Sequence, residues 1–262
     1  MSARWIAILG ASSGFGAATA REFAAAGHPV FGAHLDRRGT MPQVTTLIEA
    51  LRGHQVPVLF HNGNAADDTV RGEAIDRLAG AIEDAGGGTV GVLLHSLAFG
   101  TLRPFFDEGG RAMTRRQLEM TLDVMANSLV YWTQDLLQRG LLREGSRIFA
   151  MTSSGSVAAW PSYGAVSAAK SALESHIRQI AVELSPRGIS ANAIMAGVTP
   201  TPALEKIPGH EEIEQRARLR NPSGRLTRPE DVARCILALS APGAAWMTGN
   251  TIRVDGGEAI SG

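Results

Sequence analysis

Seven short apolar runs, separated by longer amphipathic segments, restrict the fold of this 262-residue chain more than any other feature. The runs are RWIAIL (4–9), HPVFGAH (28–34), VPVLFH (56–61), TVGVLLH (89–95), SRIFAMT (146–152), ISANAIM (189–195) and NTIRVD (250–255). Helical patterns lie between them, near 15–26, 41–53, 67–85, 111–139, 164–186 and 228–240. Buried strands that alternate with helices predict an α/β fold, with a parallel sheet covered on both faces.

Charge and hydropathy exclude several classes of function. Lys+Arg and Asp+Glu both number 25, so the chain has no basic excess to attract nucleic acid or an anionic membrane. Its apolar runs are far shorter than the ~20 residues of a membrane-spanning helix, and the run at the N-terminus is too short for a signal peptide. The single cysteine, Cys235, lies in an apolar helical pattern and predicts a buried small side chain. We therefore expect a cytoplasmic protein without a disulfide or a metal site.

One irregular segment follows the sixth apolar run. Residues 197–224 read GVTPTPALEKIPGHEEIEQRARLRNPSG, in which four prolines flank a charged helical piece. A segment of this kind, placed after a strand that ends at a binding crevice, is typical of a mobile lid. A solvated helix–loop insertion is the alternative.

The turn after the first predicted strand has a composition suited to binding phosphate. In GASSGFG, Gly10, Gly14 and Gly16 follow the spacing G-x3-G-x-G, ahead of an Ala-rich helix. Glycines allow a tight turn and a close approach of backbone to a pyrophosphate, and a helix N-terminus favours an anion. The alternative is a glycine-rich turn that binds nothing.

The same letters also fit another motif. Gly10, Ser12 and Gly14 match G-x-S-x-G, the nucleophile elbow of hydrolases. That elbow normally follows several strands, whereas this turn follows the first. A hydrolase also leaves Gly16 without a role.

These motifs resemble those of the short-chain dehydrogenase/reductase family over nearly the whole chain. The family's turn is similar to LGASSGFG, with Leu9 where threonine is usual, and its adenine-side motif to GNAAD, with Asn64 in place of aspartate. Its nicotinamide loop is similar to AGVTPT and its last strand to IRVDGG. The resemblance implies one Rossmann-type, three-layer domain over 1–262, with a doubly wound, seven-stranded parallel sheet. It implies cofactor contacts from Gly10, Ser12, Ser13, Gly14, Phe15, Gly16, Asn64, Ala65, Ser96, Leu97, Ala98, Lys170, Gly197, Val198 and Thr201.

Two departures point to one branch of the family. HSLAFG (95–100) replaces the usual Asn-Asn-Ala-Gly, and Tyr163 precedes Lys170 by seven positions rather than four, where Val166 stands. Both features resemble the bacterial enoyl-acyl-carrier-protein reductases. LRPFF and the stretch from PALEK to PEDVA are most similar to the NADPH-using type III branch. Many of those enzymes carry a second tyrosine at the position of Ser153, where ordinary family members keep a catalytic serine.

The spacing of seven has a physical interpretation. In an enoyl thioester the hydride enters at the β-carbon and charge develops on the more distant thioester oxygen. Three residues along a helix displace a side chain by roughly 4–5 Å, which suits this longer acceptor. Lys170 would bind the nicotinamide ribose and lower the pKa of Tyr163, which would stabilise the enolate oxygen with Ser153 beside it. The alternative is a surface tyrosine, a solvated lysine and a turn serine.

Residues after the second and fourth strands suggest the cofactor. His34, Asp36, Arg37 and Arg38 follow the second strand, where adenosine ribose is read, and Ala33 occupies the place of the usual acid. Arg37 or Arg38 would bind a 2′-phosphate, so we expect NADPH, with NADH as the alternative.

We expect His95, at the end of the fourth strand, to have no role in proton transfer. The usual helical asparagine aligns with Met125, two positions before Asn127.

The resemblance implies NAD(P)H-dependent reduction of a trans-2-enoyl thioester in fatty-acid synthesis. The substrate would be carried on acyl carrier protein or coenzyme A. One alternative is a short-chain reductase acting on a ketone or alcohol, with a displaced tyrosine. Another is a non-catalytic dinucleotide sensor. By resemblance we also expect a homotetramer built on the helices around 111–139 and 164–186.

Overall fold

The structure is a computed structural model that describes residues 3–261. Seven parallel strands form one sheet in the order β3-β2-β1-β4-β5-β6-β7. The strands are β1 (Ala3–Leu9), β2 (Val30–His34), β3 (Val58–Asn62), β4 (Gly88–His95), β5 (Arg147–Thr152), β6 (Ser190–Ala196) and β7 (Thr251–Val254). The predicted doubly wound, seven-stranded Rossmann-type sheet is confirmed, each strand lying at a predicted apolar run.

Two strands begin two residues later than the apolar runs predict. β2 starts at Val30 and β3 at Val58, each directly after a proline, Pro29 or Pro57. A proline has no N–H to donate to the sheet, so regular pairing begins one residue later. The carbonyl of each proline still accepts a hydrogen bond from the neighbouring strand.

Residues 3–261 contain eight α-helices, most of which pack on the two faces of the sheet. They are α1 (Gly14–Ala25), α2 (Met41–Arg52), α3 (Asp68–Asp84), α4 (Arg115–Leu122), α5 (Ser128–Gln138), α6 (Gly164–Leu184), α7 (His210–Arg220) and α8 (Pro229–Leu239). One core packs α1, α2 and α8 against the sheet, and the other packs α3, α5 and α6. β1 is central, so Ile6 and Ile8 enter the first core while Trp5 and Leu9 enter the second. Because β1 packs against a core on each face of the sheet, both sets of alternating residues in this strand are apolar.

The helix predicted over 111–139 is interrupted. α4 begins only at Arg115, after a capping box between Thr114 and Gln117, and a π-helical turn at Asp123–Asn127 separates it from α5. Such a turn leaves backbone carbonyls without their usual helical partners, and it often marks a functional site. Here it lies beside the end of β4, because Ser128, the first residue of α5, contacts His95.

The chain reverses its direction of winding between β1 and β4. β1 pairs with β2 on one side and β4 on the other, with Leu9 opposite His95 and His95 opposite Ala150. Ligands of open α/β sheets bind in the crevice at such a switch point, beyond the carboxyl ends of the strands. Within residues 3–261, the helices are too short or too polar to span a bilayer.

Candidate active site

A cavity of about 830 Å³ occupies the crevice beyond the carboxyl ends of the strands. It brings together most of the residues that the sequence predicts for catalysis and cofactor binding. Those lining it are Gly10, Ser12, Ser13, Gly14, Phe15, Asn64, Ala65, Ser96, Leu97, Ala98, Ser153, Tyr163, Lys170, Gly197, Val198 and Thr201. Residues far apart in sequence therefore share one site, as the parallel topology requires.

Three predicted cofactor residues do not line this cavity. Arg37 and Arg38 are exposed on the turn after β2 and lie outside it. Gly16 is buried in the first turn of α1, beneath the loop whose other members face the cavity. Leu35 and Asp36 of this turn line the cavity instead, and the expectation that Arg37 or Arg38 binds a ribose 2′-phosphate stays a prediction.

The position of Gly16 explains the compactness of the glycine-rich turn. A Cβ at this residue would lie 2.0 Å from the carbonyl oxygen of Gly10, so no other amino acid fits without moving the backbone. α1 begins directly behind the turn, and its first turn carries no acidic residue. This cradle fits a pyrophosphate, which a helix N-terminus attracts through its free N–H groups and dipole.

Asp36 lies at the end of the cavity next to β2 and β3. Burial raises the pKa of its carboxyl, but hydrogen bonds with Thr40, Ser12 and His34 outweigh this effect and lower the pKa below its usual value. The His34 Nδ1 lies 2.9 Å from the carboxylate. This end of the cavity therefore presents a carboxylate that favours its charged form.

The same cluster argues against the hydrolase alternative. In a nucleophile elbow, a histidine takes the proton of the serine and a carboxylate orients the histidine. Here the His34 Nδ1 lies 2.9 Å from the Asp36 carboxylate. Within residues 3–261, none of the histidine hydrogen bonds involves Ser12, so the serine is not paired with the base that an elbow requires.

Tyr163 lies at the N-terminus of α6, with its hydroxyl 3.4 Å from the Ser153 Oγ. Ser162 before it has a φ of 62°, a left-handed conformation that ends the preceding turn. Gly155 makes room for the ring, since a Cβ there would lie 2.4 Å from the Tyr163 Cε1. The structure therefore brings the predicted tyrosine and serine into one hydroxyl pair that faces the cavity.

Burial dominates the electrostatics of Tyr163. It raises the pKa of the phenol, and the hydrogen bond from Ser153 opposes this only in part. The phenol consequently stays protonated at neutral pH. A protonated phenol donates a hydrogen bond, which is the property required to stabilise an oxyanion. The expected lowering of the Tyr163 pKa by Lys170 stays a prediction.

Lys170 is fully buried in the side of α6 that faces β5. Its Nζ donates a hydrogen bond of 2.7 Å to the carbonyl oxygen of Met151. Burial lowers its pKa to about 8, and the negative charge of Glu174 opposes that shift. Lys170 therefore titrates close to physiological pH rather than far above it.

His95 does not line the cavity. Its Nε2 lies 2.9 Å from the Ser128 Oγ, and the Ser128 hydroxyl donates to the carbonyl oxygen of Val124 in the π-helical turn. The imidazole therefore donates from Nε2. Burial, followed by the charge of Lys170, lowers the pKa of His95 to about 3, which favours the neutral ring at neutral pH. The expectation that His95 transfers no proton stays a prediction.

The π-helical turn also determines what replaces the usual helical asparagine. Met125 lines the cavity with its thioether side chain, whereas the amide oxygen of Asn127 lies 3.1 Å from the His176 Nε2 on α6. The polar group of the turn is thus directed to a neighbouring helix rather than to the cavity.

The segment predicted as a lid contains α7 and forms one wall of the cavity. Trp160 contacts it twice: its Nε1 donates to the carbonyl oxygen of Pro208 at 3.0 Å, and its ring lies 6.0 Å from the Arg216 guanidinium carbon. The sequence motifs do not point to Trp160. It lies three residues before Tyr163, in AAWPSY.

A second residue missed from the sequence is Glu258, near the C-terminus. Its Oε2 accepts a hydrogen bond of 3.0 Å from the Val198 N–H. Burial raises the pKa of its carboxyl, and the Val198 N–H opposes this in part. The contact joins Glu258, near the C-terminus, to the predicted nicotinamide loop. No short sequence motif predicts this contact.

Comparisons with known proteins agree with this geometry. A family model described as enoyl-(acyl carrier protein) reductase matches residues 10–258. A tropinone reductase homolog of Arabidopsis thaliana is 29% identical over 266 residues, which cover all of this chain and 93% of the relative. An enoyl-(acyl-carrier-protein) reductase (NADH), FabI, of Aquifex aeolicus is 31% identical over 67% of this chain and 64% of its own length.

A solved structure of the Aquifex aeolicus VF5 enzyme superposes with a TM-score of 0.82, over 99% of this chain and 97% of that one. The sequence identity of that superposition is 23%, so the likeness is one of fold.

Proposed function

Since the chain belongs to the short-chain dehydrogenase/reductase family, in the group described as enoyl-(acyl carrier protein) reductase, we propose that it reduces the trans-2 double bond of an enoyl thioester. One observation carries this proposal. A protonated tyrosine, Tyr163, stands seven residues before the buried Lys170 and faces the cavity beside Ser153. The phenol is thereby offset from Val166, where the acid of an ordinary ketone reductase stands.

When bound, a nicotinamide cofactor would supply a hydride to the β-carbon of the enoyl thioester. The electron pair of the double bond moves toward the thioester oxygen, where Tyr163 donates a hydrogen bond to the developing enolate. Ser153 holds the tyrosine hydroxyl, and Lys170 would bind the cofactor ribose. Water protonates the α-carbon, so one hydride and one proton are added in balance.

The cavity also favours one form of the cofactor. Asp36 is charged and faces the cavity, whereas Arg37 and Arg38 are exposed outside it. A carboxylate accepts hydrogen bonds from a free ribose 2′-hydroxyl and repels a 2′-phosphate. We therefore propose a preference for NADH, in place of the NADPH that the two arginines suggested.

Binding titrations test this preference. Asp36→Asn should lower the ratio of the NADPH dissociation constant to the NADH dissociation constant by at least tenfold. Arg37→Ala with Arg38→Ala is the control, and it should leave both constants within twofold. A wild-type protein that binds NADPH more tightly, and loses that preference in the arginine variant, would restore the original expectation.

The reaction itself is tested with two substrates. Purified protein and NADH are offered a trans-2-enoyl thioester in one cuvette and a 3-ketoacyl thioester in another, while nicotinamide absorbance is followed. We expect oxidation with the enoyl substrate alone. Tyr163→Phe should lower its kcat by about 10²-fold or more, with the cofactor dissociation constant unchanged. Turnover that survives this change with full cofactor binding contradicts the role of the phenol.

A second candidate function has support of its own. The tropinone reductase homolog aligns over the full length of this chain, and Ser153 stands where ordinary family members keep their catalytic serine. Reduction of a ketone, or oxidation of an alcohol, is therefore the alternative. Oxidation of NADH by the 3-ketoacyl thioester alone would select it.

The setting of the enzyme completes the proposal. We propose an acyl carrier protein or coenzyme A as carrier, fatty-acid synthesis as the process, the cytoplasm as compartment, and residues 197–224 as a lid. A homotetramer would cover exposed apolar side chains such as Trp246 (97% exposed) and Val182 (72% exposed). Light scattering after size exclusion measures the assembly directly, and a mass of one protomer excludes it.

A further inference from the structure

The last two residues of β5 bind two successive turns of α6. The Met151 carbonyl accepts from the Lys170 Nζ at 2.7 Å, and the Thr152 hydroxyl donates to the Glu174 Oε1 at 2.6 Å. Lys170 and Glu174 are four residues apart, so they lie on the same side of the helix. The strand thus holds an ammonium and a carboxylate one above the other, directly behind the active site.

The surroundings of Lys170 make this carboxylate significant. The lysine is fully buried, and burial disfavours its charged form. The charge of Lys170 acts on His95 at the end of β4, whose own pKa burial lowers to about 3. Tyr163 lines the same cavity as Lys170, and burial raises the pKa of its phenol. Within residues 3–261, Glu174 is the charged group whose field acts on Lys170, and that field favours the ammonium.

The carboxylate itself is held in place. Glu174 is half-buried, and its bond to Thr152 fixes it against the end of β5 instead of leaving it free in solvent. The short distance between a hydroxyl and a charged acceptor is typical of a strong hydrogen bond. A fixed, partly buried charge acts on its neighbour far more than an exposed one does.

We propose that Glu174 is a positioning residue that keeps Lys170 in its ammonium form, and that Thr152 holds Glu174 for this purpose. The inference rests on the role that the proposed function gives to Lys170, but it does not depend on the identity of the substrate. The uncharged amine would neither attract the cofactor nor donate all three of its hydrogen bonds.

The chain is unusually suited to a direct test, because it contains two lysines, Lys170 and Lys206. Lysine labelled with ¹³C at Cε therefore gives two signals, and Lys206→Arg identifies which belongs to Lys170. The Cε chemical shift followed from pH 6 to pH 11 reports the pKa of Lys170 in the intact protein. We expect a midpoint near 8 for the wild-type protein.

Glu174→Gln removes the charge but keeps a side-chain oxygen that can accept from Thr152. We expect the midpoint of Lys170 to fall by on the order of one pH unit. Thr152→Val keeps the charge but removes its anchor, and should lower the midpoint by a smaller amount. Glu183→Gln, on the exposed side of the same helix, is the matched control and should leave the midpoint unchanged.

The outcomes separate this inference from the proposed function. If the Lys170 midpoint in Glu174→Gln equals that of the wild-type protein, the inference is overturned, whatever substrate the enzyme uses. A lowered midpoint supports it, even if the enoyl thioester proves not to be reduced. Where the proposed function holds, the alkaline limb of kcat/KM should move to lower pH together with the midpoint. If Glu174→Gln folds poorly, Glu174→Asp is measured as well. It keeps the charge, so its Lys170 midpoint should stay near that of the wild-type protein.

Discussion

The buried imidazole of His95 makes the free energy of unfolding depend on pH. Its pKa is about 3 in the folded protein and about 6.5 in an unfolded chain. Above pH 6.5 the ring is neutral in both states, so its full contribution to stability is present. As pH falls from 6.5 toward 3, the unfolded state binds a proton that the folded state rejects, and stability is lost. For these two pKa values, the loss between pH 8 and pH 5 is about 2 kcal/mol.

The measurement compares the wild-type protein with His95→Asn by urea unfolding at pH 8 and pH 5, at one protomer concentration. Asparagine does not titrate, and its amide can still donate to Ser128. We expect the wild-type protein to lose about 2 kcal/mol more than the variant over this interval. His61 and His176 titrate identically in both proteins, so the difference between the two losses isolates His95.

His95→Gln serves as a second non-titrating variant if the asparagine leaves a cavity that destabilises the fold. Equal losses in the wild-type protein and both variants would refute the reasoning. That result would mean that the imidazole is hydrated or protonated in the folded protein, and His95 would again be a candidate for proton transfer.

Three further predictions concern the turn, a buried indole and the thiol. Gly16→Ala should abolish tight cofactor binding and lower the melting temperature, because its Cβ would lie 2.0 Å from a backbone carbonyl oxygen. Gly72→Ala is the control: it lies in an open helical position and should raise the free energy of unfolding by roughly 0.5–1 kcal/mol. Trp132→Phe should cost about 1–3 kcal/mol in urea unfolding, because the Ala65 carbonyl loses the 2.8 Å hydrogen bond from the indole. Cys235 should react with a thiol reagent at pH 8 about tenfold more slowly in the folded protein than in urea, because burial raises its pKa.

The sheet was predictable because its signals are local. Each buried strand is a short apolar run, and prolines and glycines mark where strands and turns begin, so seven parallel strands follow from the sequence. The interruption of the helix over 111–139 was not predictable. A π-helical turn at Asp123–Asn127 has no periodicity of its own, and its hydrogen bonds involve the end of β4.

The candidate site likewise has some features that local sequence patterns predict and others that depend on tertiary packing. By itself the sequence determined the glycine-rich turn and the spacing between Tyr163 and Lys170, because both are patterns within a few consecutive residues. Only the tertiary structure decided that Asp36 rather than Arg37 or Arg38 lines the cavity, and that burial raises the pKa of Tyr163. It alone decided that Glu174 stands behind Lys170. Orientation and desolvation depend on which distant strands and helices close around a side chain, and no local pattern of residues encodes that packing.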